Sequence, residues 1–183
     1  MPITPGEIID FWTETVGEKR WYAVEPALDD MIRARYESLW REARAGELLS
    51  WEETADGALA LLIVLDQFAR NMFRDTANAF ASDEQARTVA RRAIASGFDL
   101  EIGLPLRQFF YLPFEHSENS TDQDRSVALF AERLGKNHYT YPYALEHREE
   151  IARFGRFPSR NKALGRVSTA EEQDFLDRKM KPD

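Results

Sequence analysis

The sequence predicts an all-α fold: antiparallel helical hairpins forming a compact bundle or a short solenoid around a central apolar helix at about 51–70. Three observations predict it. Helix start and stop signals alternate along the chain, apolar residues recur at spacings of three and four, and no alternating run bounded by hairpin turns reads as a strand.

Thr4-Pro5-Gly6-Glu7 supplies an N-cap hydroxyl, a Pro at the first helical position and a Glu three residues after the cap, opening a helix over 5–15. The next spans 26–45, where Leu28, Ile32, Tyr36, Leu39 and Trp40 form one stripe with Arg33, Glu37 and Arg41 between them. Gly46 closes it, and Ser50-Trp51-Glu52-Glu53 repeats the capping box ahead of 51–70. Within that helix Ala58–Leu65 is apolar on every side, so its neighbours must wrap it. Helices follow at 83–96, 105–119, 122–134, 142–154 and 169–179, with Gly97, Gly135 and Gly155 as stops and Ser168-Thr169-Ala170-Glu171 as the last capping box. Pro113 lacks an N–H and is expected to kink or split 105–119. Val127, Phe130, Ala131 and Leu134 make the stripe of 122–134. Short connections make successive helices antiparallel neighbours. With no linker rich in Gly, Ser or Pro, a single domain over 1–183 is expected, its tail fraying from about 180.

Composition limits the function. Of 183 residues, 43% are hydrophobic and 31% charged, which provides a core and argues against global disorder. The lack of Cys excludes disulfides, thiolate zinc sites and a cysteine nucleophile. A net charge of −8 argues against nucleic acid as a partner. The longest apolar run, eight residues, is far below the ~20 that span a bilayer, and Met1-Pro2-Ile3-Thr4 carries no leader signal, so a cytoplasmic protein with no membrane partner is expected. No cofactor is implied, and nothing excludes a homo-oligomer.

Against the acidic whole, Arg153–Arg166 is a basic island. It carries Arg153, Arg156, Arg160, Arg166 and Lys162, and no acid occurs from Ile151 to Arg166. Planar guanidinium groups suit bidentate capture of carboxylate or phosphate, and Phe154, Phe157 and Pro158 would keep the loop ordered. The alternative is that these cations pair with the chain's surplus acids. A second cluster is Pro113-Phe114-Glu115-His116-Ser117-Glu118, whose Glu115, His116 and Glu118 are candidate acid–base groups. His116 and Glu118 are two apart, off the three- or four-residue spacing of a helical metal site, so no metal is expected. His147 shares a stripe with Tyr143, Ile151 and Phe154 that is expected to face the core, as a further acid–base candidate. Asp66 and Arg70 lie one turn apart at the end of the apolar helix, followed by Asn71; a buried Asp66 needs Arg70 or an Arg of the basic loop as partner. Arg107 sits among Leu106, Phe109, Phe110 and Tyr111, and Gln123 lies one turn before Val127. Together Asp66, Arg70, Asn71, Arg107, Gln123, Arg153, Arg156, Arg160, Asn161 and Arg166 are the candidate ligand-binding groups. They form a structural polar network or line a pocket for an anionic small molecule or peptide carboxylate. The alternative function is a hydrolase-type enzyme using Glu115, His116, Glu118 or His147 in the same pocket.

Leu65-Asp66-Gln67-Phe68-Ala69-Arg70-Asn71, Phe114-Glu115-His116-Ser117-Glu118 with Asp122-Gln123, and Arg153–Asn161 with Leu164-Gly165-Arg166 and Thr169-Ala170-Glu171-Glu172 occur in this order. With Phe11-Trp12 and the Gly46–Trp51 stretch, they resemble a mainly bacterial family known as domain of unknown function nine hundred and twenty-four. The resemblance covers essentially the whole chain and implies an all-helical fold similar to tetratricopeptide-repeat proteins, with no activity assigned. The family usually has His before the Arg-Asn of the basic loop, where this chain has Ser159; that departure weakens the case for catalysis at this point.

Overall fold

A computed structural model describes residues 2–179, in which every regular element is helical and none is a strand. Helix α1, Pro5–Asp10, is opened by the expected box: the Thr4 hydroxyl accepts from Glu7 N at 3.4 Å while the Glu7 carboxylate accepts from Thr4 N at 2.7 Å. It runs on as a π-helical stretch, Phe11–Val16. Helix α2, Pro26–Ala45, has the predicted bounds, buries all five residues of its stripe and ends at Gly46 in the left-handed conformation, φ 78°.

The central helix is continuous in three parts: α3, Ala55–Leu62, a π-helical stretch, Ile63–Phe68, and α4, Ala69–Met72. Every residue from 57 to 69 is buried, the apolar run Ala58–Leu65 as its lack of a polar face requires and Asp66 and Gln67 with it. Its start differs from the expected 51. Thr54 is the cap, extended at φ −135° and ψ 157°, and its side chain accepts from Gly57 N at 3.1 Å. Residues Leu49–Glu53 form a 3-10 turn instead. Its Trp51 carbonyl packs against Gly57, where a Cβ would lie 2.1 Å from that oxygen.

Helices α5, Asp83–Ala95, and α6, Phe98–Glu101, follow. The expected helix at 105–119 is broken into a 3-10 turn, Leu106–Phe110, and a short α7, Leu112–Glu115. Pro113 lies in the first turn of α7, where no N–H is needed. Helix α8, Ser120–Leu129, begins two residues earlier than expected because the Asn119 side chain accepts from Thr121 N and Asp122 N. It continues as a π-helical stretch, Phe130–Leu134. Helix α9 is Tyr141–Phe154 and α10 is Ala170–Lys179. The box before α10 is shifted by one from expectation: Thr169 N donates to Glu172 Oε2 at 2.7 Å, and Glu172 N to Thr169 Oγ1 at 3.2 Å. The tail from about 180 lies outside the described residues.

Contacts divide the chain into two compact units, 2–74 with 78–113, and 75–77 with 114–179. The division falls inside α7, between Pro113 and Phe114, with no linker for composition to mark. In the first unit α1, α2 and α5 pack on the central helix. Its core is aromatic: Tyr36 stacks on Phe68 at 4.9 Å, and Phe109 meets Trp21 edge-on at 4.9 Å and Trp12 at 5.9 Å. In the second unit α8 packs along α9, and α10 packs on the basic loop that follows α9.

Candidate functional site

The second unit brings the Phe114–Glu118 segment, α9 and the basic loop together. The loop's cations are met by carboxylates in the same unit. Arg166 grips Glu118 with both terminal nitrogens, at 2.7 and 2.9 Å. Burial pushes the Glu118 carboxyl up, but Arg166 and the donating Phe157 N–H outweigh it and hold the group below the usual carboxylate range. Arg156 holds Glu172 with Nε at 2.6 Å and Nη2 at 2.9 Å. With the Thr169 N–H, this pair lowers the Glu172 carboxyl to about 2. Asn161, buried, joins the two pairs: it accepts from Arg166 Nε at 2.9 Å and donates to Glu172 Oε2 at 3.2 Å. Arg153 pairs with Glu171 at 2.6 Å on the surface. The basic island is thus a scaffold that docks α10 and Glu118, in the manner of the structural reading of its charge.

Arg160 is placed differently. Its Nη2 donates to the His116 carbonyl at 2.8 Å, and its guanidinium lies over the Phe157 ring, 4.5 Å from the centroid. The same ring is met edge-on by His147 at 5.4 Å. Nδ1 of His147 is 2.8 Å from the Tyr143 carbonyl and 3.3 Å from Oε1 of the buried Glu115. His147 is half-buried, and burial, with His116, Lys179 and Arg160 around it, lowers its pKa to about 4 despite the Tyr143 carbonyl. Tyr143 itself is exposed, so the stripe expected to face the core turns outward at that end. Arg160 and His147 thus form one edge around the Phe157 ring, a guanidinium charge beside an imidazole.

Beneath it, Gln123 fixes the Phe114–Glu118 turn. Its fully buried amide donates to the carbonyls of Glu115 at 2.6 Å and Ser117 at 2.7 Å. Ser117 closes the same turn, donating to Asp122 at 2.8 Å and accepting from Asn119 N at 3.2 Å.

The remaining predicted residues belong to the first unit. Asp66 is buried and takes Arg70 Nη1 at 2.9 Å and the Gln67 amide at 2.5 Å. Arg70 also grips Asp83, at 3.0 and 3.1 Å. Burial opposes its charge, but the two aspartates hold it above the usual arginine range. Asn71 donates to Asp29 at 2.8 Å, beside Arg74 on the same carboxylate. Arg107 donates to the Ile102 carbonyl at 2.9 Å. A small cavity in this unit, lined by Leu48, Leu49, Leu61, Leu65 and Val89 together with Glu52 and Gln85, contains none of these groups. Sequence reasoning did not single out Asp29, Asp83 or Glu172 as partners, of which only Glu172 carries a local signal, three residues after Thr169; Phe157 was read as an anchor of the loop and not as the ring that Arg160 and His147 share. Among the described residues no cluster of three His, Cys, Asp or Glu could hold a metal, and no helix is long and apolar enough to cross a membrane.

An all-helical protein with a clamped basic loop and a His–Glu edge is what these features define. The chain belongs to the family of bacterial proteins of unknown function DUF924, whose profile matches residues 8–179. It is similar to a protein of unknown function from Agrobacterium tumefaciens, at 39% identity over 95% of this chain and 97% of that one; the solved structure of that protein superposes with a TM-score of 0.89. No curated protein matches the chain.

Proposed function

We propose that this protein is a helical binding module that takes an anionic small molecule or a peptide carboxylate at the Arg160–His116–His147 edge of its second unit. The observation that carries this reading is the seating of Arg160, over the Phe157 ring at 4.5 Å and bonded to the His116 carbonyl at 2.8 Å. A guanidinium held on two sides loses little conformational freedom on meeting an anion, which favours binding. Arg153, Arg156, Asn161 and Arg166 support that seat from the scaffold. Phosphate tests the reading. A ligand that binds only the folded state stabilises it by about 2.7 kcal/mol at a hundredfold excess over Kd. Phosphate replacing chloride at constant ionic strength raises the melting temperature of the wild type, and Arg160→Ala removes that rise. No rise in the wild type, or an equal rise in the variant, overturns it.

The 3.3 Å approach of Glu115 to His147 favours a second reading, a hydrolase-type enzyme in which Glu115 orients His147 as an acid–base group. Hydrolysis of p-nitrophenyl acetate above the buffer rate, lost in both Glu115→Gln and His147→Asn, would support it. Equal rates in all three proteins would exclude that role.

A further inference from the structure

Titratable groups from α7, the basic loop and α10 meet at the His147 ring. From α7 come Glu115, 3.3 Å from Nδ1, and the adjoining His116. From the basic loop come Arg160 and the edge-on Phe157. From α10 comes Lys179, itself paired with Glu150 of α9 at 2.8 Å. On α9 the Tyr143 carbonyl is 2.8 Å from Nδ1. A carbonyl oxygen only accepts, so Nδ1 carries a hydrogen in both charge states and Nε2 is the atom that gains or loses the proton.

We propose that the site takes up its anion together with one proton, which settles on Nε2 of His147. The inference rests on the anion-binding reading above. Without an anion, burial together with His116, Lys179 and Arg160 keeps the ring neutral down to about pH 4. Negative charge beside Arg160 offsets those neighbours and favours the imidazolium. By reciprocity, the proton strengthens anion binding by the factor with which the anion strengthens proton binding. The bound state therefore has the higher His147 pKa. Affinity rises as pH falls from that value towards about 4, and is flat beyond both limits.

Sulfate is the probe because it does not titrate in this range. Its Kd is measured by calorimetry at pH 5 and pH 7 at constant ionic strength. A bound-state pKa raised by two units makes binding about tenfold tighter at pH 5. His147→Asn, whose amide can still donate towards Tyr143 and Glu115, binds sulfate with one Kd at both pH values. Equal wild-type affinities overturn the proton coupling alone. Absence of sulfate binding at both pH values overturns the anion site as well. A dependence that survives in His147→Asn removes the assignment to His147. If that variant fails to fold, NMR titration of the wild-type His147 ring decides: sulfate raises its midpoint, and an unchanged midpoint overturns the inference.

Discussion

Asp66 illustrates how a single residue is positioned by what surrounds it. At 1% exposure it faces both Arg70 and the Gln67 amide, and Arg70 divides itself between Asp66 and Asp83. Removing one partner of a buried pair leaves the other charge undercompensated, at a cost of about 3–5 kcal/mol. Asp83 remains on Arg70, so Asp66→Ala is expected at the lower end, about 3 kcal/mol. Glu37, on the solvent side of α2 with Arg41, is worth under about 0.5 kcal/mol. Urea midpoints of Asp66→Ala and Glu37→Ala measure the difference; equal midpoints would contradict a stabilising Asp66. The Asp66–Arg70 pair was legible in the sequence because its spacing is one helical turn. Asp83, thirteen positions beyond Arg70, and Asp29, forty-two before Asn71, were not, because only tertiary folding sets those distances. The same holds for the basic loop. Its charge asymmetry stands out in the sequence, whereas Glu118, forty-eight residues before Arg166, becomes its partner only in the folded unit.

At the scale of elements, periodicity was a reliable guide wherever one face met the core. Helix α2 buries its whole stripe for that reason, and the Ala58–Leu65 run of the central helix is buried because it has no polar face. Ends decided by packing were harder to read. Ser50-Trp51-Glu52-Glu53 has the residues of a capping box, yet Thr54 caps the helix, its hydroxyl accepting from Gly57 N at 3.1 Å, while the Trp51 carbonyl lies against Gly57. This contact makes Gly57 a test. Alanine there would gain about 1 kcal/mol of helix propensity. Its Cβ, however, would lie 2.1 Å from a backbone oxygen that cannot rotate away, and overpacking of this kind costs about 1–3 kcal/mol. The clash outweighs the propensity, so Gly57→Ala is expected to lower stability by up to about 2 kcal/mol in chemical denaturation. A stabilised variant would show that the 49–53 turn yields at no cost.

Taken as a whole molecule, the protein is a family member whose all-helical fold its sequence announces, and the proposed anion edge lies in its second unit. Three of the four loop arginines make two-pronged contacts to carboxylates. Arg160 and His147, which meet at the Phe157 ring, and His116, whose carbonyl accepts from Arg160, are the groups on which the binding account depends. The most direct measurement is an amide and side-chain NMR titration of the full chain with phosphate, against chloride at matched ionic strength. Saturable shifts at His116, His147, Phe157 and Arg160, with Arg156 and Arg166 little moved, are the result this account predicts. Saturable shifts centred on Arg156 or Arg166, or no saturable shift anywhere, would contradict it.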